Sequence, residues 1–307
     1  VLVLLGVLLA APARGGVLRS GDFVMVCRWG TGTLGQLIVF DGASLTPTVV
    51  AERGYLDAAT DVAVTGRGDV LLSVASAGVV RVRPDTWEQT VFAPSSTLGD
   101  GTPSGIAIGP DGAIYVSMQG ASPRVVQLSA DGAFLRVVTS GGLLPMPAGM
   151  CFGSDGTFYV CATSFYGGGG LVQVDLTSGA QTVFAANDLL KGPLDVTAAP
   201  DGSLWSVQYG QGQFRLAGCV VRSRVPDGYS ERLSMFDCAA DGVAVRSDGV
   251  ALVGDCYRVK WDCYTKYTVV YPSGARYEGF GGPVAVVPDP VVEARTTSWG
   301  RIKVLYR

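Results

Sequence analysis

A short apolar strand, an Asp-Gly turn and a second strand recur along this chain at nearly constant intervals. The copies are GIAIGPDGAIYVSM from Gly105, GMCFGSDGTFYVCA from Gly149, DVTAAPDGSLWSVQ from Asp195 and GVAVRSDGVALVGD from Gly242. Their Asp-Gly pairs begin at 111, 155, 201 and 248, spaced by 44, 46 and 47 residues. A weaker copy, DVAVTGRGDVLLSV, begins at Asp61. Asp-Gly between β-branched and aromatic runs signals a tight hairpin, because glycine accepts the positive φ that such turns require.

Two further strands follow each hairpin. RVVQLSADGAFLRVVTS (Arg124–Ser140) shows them around a SADG turn, and LVQVDLTSGAQTVFA repeats the arrangement one unit later. Four antiparallel strands in about 45 residues is the period of a propeller blade rather than of a helical solenoid. Composition agrees: 43 Gly, and 21 Asp against 5 Glu, favour turns over helices. The pentapeptide QTVFA occurs at Gln89–Ala93 and again at Gln181–Ala185, on the outermost strand two units apart. Its Val and Phe are expected to be buried against the next blade.

Ring closure sets the blade count. GDFVMVCRWG, GQLIVFDG and PTVVAERG supply three strands and lack an inner one, while GGPVAVVPDP (Gly281–Pro290) is an inner strand without a hairpin partner. Placing Val284–Val287 beside Val24–Val26 gives an all-β, six-bladed propeller of four-stranded blades, one domain over residues 21–290. Val1–Ala11 is apolar apart from Gly6, and Ala11-Pro12-Ala13 suits a cleavage site. Residues 1–13 are therefore expected to be a signal peptide, too short to span a bilayer, and the protein to be secreted or periplasmic. Residues 291–307 form a tail, read as a short amphipathic helix that docks on its own ring or mediates self-assembly or attachment.

The repeated GIAIGPDGAIYV-type hairpin resembles the six-bladed propellers of the NHL-repeat, streptogramin-lyase and gluconolactonase-like (SMP-30) group over Gly21 to Pro290. The resemblance implies a central channel and two unlike faces. It also implies active sites that this chain does not reproduce. Streptogramin lyases are associated with a channel histidine, and this chain has no histidine at all. The gluconolactonase group holds a channel metal with Glu, Asn and Asp. Here Asn187 is the single asparagine, Glu52, Glu88, Glu231 and Glu278 fall on outer strands or turns, and Glu293 lies beyond the ring.

Other classes are excluded more directly. A net charge of −3 without a basic cluster gives no electrostatic case for nucleic acid. The absence of histidine removes Ser-His-Asp triads and His-ligated metals. Gly167–Gly170 lacks the Lys-Ser/Thr ending of a phosphate loop. Seven cysteines suit an oxidising compartment. Cys256 with Cys263, and Cys219 with Cys238, are the candidate disulfides. Cys151 and Cys161 sit on two arms of one hairpin, and Cys27 is left over.

Candidate function concentrates on the face opposite the bare PDG, SDG and TSG turns. That face is expected to display Arg28, Trp29, Gln119, Phe165, Tyr166, Tyr209, Gln211, Tyr257, Arg258, Lys260 and Trp261. Rings supply contact area and polar heads supply direction, as on recognition surfaces; the other reading is that the rings pack beneath their own loops. Asp61 and Asp195 share one blade position, and Asp241 lies one residue earlier in its own. Converging carboxylates would suit a Ca²⁺-type cation in the channel, whereas separately each would accept backbone N–H bonds at a strand start. The expected function is a secreted binding or scaffold module for a small molecule, glycan or peptide. The alternative is a metal-dependent lyase or lactone hydrolase built on the channel-mouth aspartates.

Overall fold

Strands buried on both faces read as nearly continuous apolar runs, and those runs decide the architecture here. The structure, a computed structural model, describes residues 18–27, 35–163, 169–208, 219–235, 239–259, 262–270, 276–279 and 284–286. The expected leader at 1–13 and the tail at 291–307 lie outside the described residues.

Five sheets are each built from four consecutive strands, and another is composite. The composite first sheet contains β1 (Phe23–Cys27), β2 (Gln36–Phe40) and β3 (Pro47–Glu52). The second runs β4 (Ala59–Val64), β5 (Val70–Val74), β6 (Gly78–Val82) and β7 (Gln89–Pro94). The third runs β8 (Thr102–Ile108), β9 (Ile114–Gln119), β10 (Arg124–Leu128) and β11 (Phe134–Ser140). The fourth comprises β12 (Pro147–Phe152), β13 (Phe158–Ala162), β14 (Gly170–Val174) and β15 (Gln181–Ala185). The fifth comprises β16 (Pro193–Ala198), β17 (Leu204–Gln208), β18 (Cys219–Ser223) and β19 (Ser230–Met235). In the sixth are β20 (Ala239–Val245), β21 (Ala251–Val259), β22 (Asp262–Val270) and β23 (Arg276–Gly279). The final strand, β24 (Val284–Val286), pairs antiparallel with β1, Val24 facing Ala285.

Packing follows from the two-residue period of a strand. In β1, Val24 and Val26 join a core shared with the second sheet, including Val62, Leu72 and Val80. Phe23 and Met25 point the other way, into a core shared with Ala244, Val250 and Leu252 of the sixth sheet. Four further cores fill the seams from second to third, third to fourth, fourth to fifth and fifth to sixth. The arrangement is an all-β propeller. Each wholly buried Leu or Phe in these seams, such as Leu72 or Phe158, contributes about 1.5–3 kcal/mol through burial.

The repeated pentapeptide has a specific structural task. Gln89 Oε1 accepts from Tyr55 N at 2.8 Å, and its Nε2 donates to Arg53 O at 3.0 Å. Gln181 Oε1 accepts from Leu143 N at 2.6 Å, and its Nε2 donates to Gly141 O at 3.1 Å. Each glutamine thus ties its own outermost strand to the loop arriving from the preceding sheet. The amides lie close against Gly54 and Gly142, both at positive φ, where a β-carbon would approach the glutamine oxygen to 2.9 and 2.7 Å. The burial expected for the valines needs correction: Val91 and Val183 are 42% and 51% exposed. Phe92 and Phe184 are the extra residues of bulges at which Val80 faces Val91 and Val172 faces Val183. Each bulge turns its valine out at the rim, where no further strand covers it.

Candidate functional site

The first two strands of their sheets place the described candidates, and side-chain bonds across the sheet seams engage Asp61, Asp195 and Gln119. Asp61, 8% exposed on β4, accepts from Val62 N and, across the seam, from Ile106 N, both at 2.8 Å. Asp195 on β16 repeats this with Val196 N at 2.8 Å and Val243 N at 2.9 Å. Both oxygens of each carboxylate therefore face backbone donors, the role of an acid at a strand start. Where the position holds Gly105, Ser117 takes over: its Oγ accepts from Gly105 N at 2.7 Å and donates to Ala148 O at 2.8 Å. At Gly149, a β-carbon would come within 2.3 Å of the Asp195 carboxylate, so that glycine leaves room for the neighbour's acid.

A second row of bonds was not anticipated. Thr60 Oγ1 donates to Pro103 O at 3.1 Å, Gln119 Nε2 to Pro147 O at 3.0 Å, and Thr163 Oγ1 to Pro193 O. In each case a side chain of one sheet reaches a proline carbonyl at the start of the next inner strand. The signal was in the sequence, since Pro103, Pro147 and Pro193 each precede the Gly/Asp position by two residues. Gln119, expected on the ligand-contact face, thus makes a seam bond, with a further bond from its Nε2 to Ser104 Oγ at 2.9 Å.

Arg28, Trp29, Phe165, Tyr166, Tyr209, Gln211, Lys260 and Trp261 lie outside the described residues. Tyr257 and Arg258 are placed by their backbone on β21, facing Tyr264 and Cys263. Asp241 lies at the β20 bulge between Ala240 and Gly242; its side chain is outside the described residues. Among the described residues, no group of three or more Cys, Asp or Glu is placed to hold a metal ion.

Cys219 carries a free thiol and in the ladder faces Gln208 and Met235; its expected partner Cys238 lies outside the described residues. Cys256 faces Thr265 and Cys263 faces Arg258, so that pair is staggered by two residues rather than directly opposed. Cys161 is free and wholly buried, and burial pushes its thiol well up, with the charges of Asp195, Cys151 and Asp61 adding to the effect.

The Asp195 carboxyl is displaced into the neutral range. Burial pushes it from 3.8 up to about 7, against the pull of its two backbone N–H bonds. Between those values the folded chain holds a proton that the unfolded chain releases. The stability from this group is therefore complete below pH 3.8 and is lost as pH rises through about 7. Urea unfolding should give a lower midpoint at about pH 8 than at about pH 5, with the difference reduced in Asp195→Asn. Equal pH dependence in the two proteins would refute this assignment.

No known family matches the sequence, and no curated protein does. Solved structures do match. A chain of the nidogen/laminin complex superposes with a TM-score of 0.67 at 13% identity, covering 87% of this chain and 98% of that one. The PQQ-bound aldose sugar dehydrogenase of Streptomyces coelicolor gives 0.55 at 15% identity, over 74% and 84%. A protein provisionally named a gluconolactonase gives 0.55 at 13% identity, over 89% and 95%. Identities this low establish the shared propeller fold alone.

Proposed function

We propose that this chain is an exported binding or scaffold module of the NHL/gluconolactonase-like kind. In this reading the composite sheet is the sixth blade of a closed ring, and the aromatic-rich loop face contacts a glycan, peptide or small molecule. The observation that carries it is the engagement of Asp61 and Asp195. Acids that would do chemistry at the channel mouth are committed to holding adjacent sheets together. A similar propeller stands in the nidogen/laminin complex, and that precedent supports a contact surface by analogy of fold. Replacing Trp29, Tyr166 and Trp261 together by Ala should abolish retention on the glycan or peptide array that binds the parent protein. Unchanged retention, with the fold intact by circular dichroism, would sink the proposal.

The alternative, a lyase or lactone hydrolase, is favoured by one observation: the Asp195 carboxyl lies near 7, where general acid–base groups work best. Turnover of an aldonolactone that disappears in a folded Asp195→Asn protein would replace the binding reading with this one. Absence of turnover in the parent protein removes it.

A further inference from the structure

In the third and fifth sheets the third strand faces the outermost strand across a polar pair of long side chains, and both pairs are satisfied. In the third sheet Gln127 faces Arg136 and accepts from its Nε at 2.8 Å, while donating to Tyr115 Oη at 3.0 Å. In the fifth, Arg222 faces Glu231 and is bonded to it at 3.2 Å and to Asp201 at 2.6 Å. The equivalent pair in the second sheet is Arg81 facing Thr90, with Leu71 where the third sheet has Tyr115. Neither a carboxylate nor an amide answers this guanidinium.

Three buried side-chain polar atoms among the described residues have no hydrogen-bond partner, and two of them are this pair: Arg81 Nε and Thr90 Oγ1. The guanidinium carbon stands 5.6 Å from the centroid of the Phe92 ring, so an aromatic face holds the cation from one side. Gly132 of the adjacent β10–β11 turn closes on Phe92, where a β-carbon would come within 2.8 Å of the ring. The acid of that turn, Asp131, is bonded to Ser129, and the nearby Glu88 is bonded to Arg83 at 2.5 Å. Both local carboxylates are thus engaged elsewhere. What remains is a guanidinium fork and a hydroxyl, all able to donate, beside an aromatic plate.

We propose that Arg81 and Thr90 form a subsite for a small carboxylate at the seam between the second and third sheets. A carboxylate offers two coplanar acceptors that match a guanidinium edge, and its spare lone pairs take the threonine hydroxyl. Both orphaned atoms are shielded from bulk solvent, which restricts the site to a small ion. The loop face plays no part, so this site stands whether or not that face binds a ligand.

The test is thermal unfolding of the full chain in acetate against chloride at constant ionic strength. Parallel runs use inorganic phosphate and the variants Arg81→Gln and Thr90→Val. The parent midpoint should rise saturably with acetate and rise less with phosphate, and both variants should lose the acetate response. Thr90→Val removes an orphaned hydroxyl without changing shape, so it should remain folded even if Arg81→Gln does not. An acetate response retained by Thr90→Val, or no response in the parent protein, overturns the site; the latter would mean that solvent closes the pair. A larger rise in phosphate than in acetate overturns its selectivity for a carboxylate.

Discussion

Arg246→Met should lower the stability of this protein by about 3 kcal/mol, because it removes a buried donor that answers two backbone carbonyls. Arg246 directly follows β20, and its side chain is 10% exposed. One Nη reaches Gly42 O and, at 3.4 Å, Gly21 O, in the turns that flank β1 and β2, while the guanidinium lies 5.3 Å from the Phe23 ring centroid. The other Nη is bonded to Asp248 at 2.6 Å. Asp248 is 53% exposed, so water screens that pair and it adds little. The loss comes from carbonyls left without a donor where the sixth sheet meets the first. Urea unfolding measures it, and the exposed Arg224→Met is the control, expected to leave the midpoint unchanged. If the two variants unfold alike, Arg246 does not fasten the sixth sheet to the first.

Asp61→Ala is the second large effect. It strands Val62 N and Ile106 N without their acceptor inside the protein, at a cost of about 1–3 kcal/mol for each donor, so a total near 4 kcal/mol is expected. Asp61→Asn keeps one acceptor oxygen and should lose about half as much. Hydrogen exchange locates the damage: the Ile106 amide should lose protection while Leu72, within the second sheet, keeps it. Were Asp61 held for a cation instead, Asn and Ala would affect the parent protein's metal response, and the Ile106 amide would remain protected.

The two effects mark where sequence reading succeeds and where it stops. The hairpins around Asp111, Asp155, Asp201 and Asp248 were legible because a positive-φ glycine after Asp is a local requirement. It is met by φ values of 79°, 81°, 85° and 81° at Gly112, Gly156, Gly202 and Gly249. The pairing of Val284–Val286 with β1 was legible because three strands at one end lacked the inner strand found at the other. The seam bond of Gln119 was not legible: a polar residue at a strand end suits a binding face and a seam equally, and its acceptor, Pro147 O, lies 28 residues away. Val91 was misread because a strict two-residue alternation takes no account of the bulge at Phe92.

By itself the sequence determined the repeating unit, its turns and the equivalence of Asp61 with Asp195, all set by local backbone preference and strand periodicity. Tertiary structure alone decided what those acids do. Their partners, Ile106 and Val243, lie 45 and 48 residues along the chain. An aspartate at a strand start is the same residue whether it faces a cation or an amide until the next sheet is packed beside it.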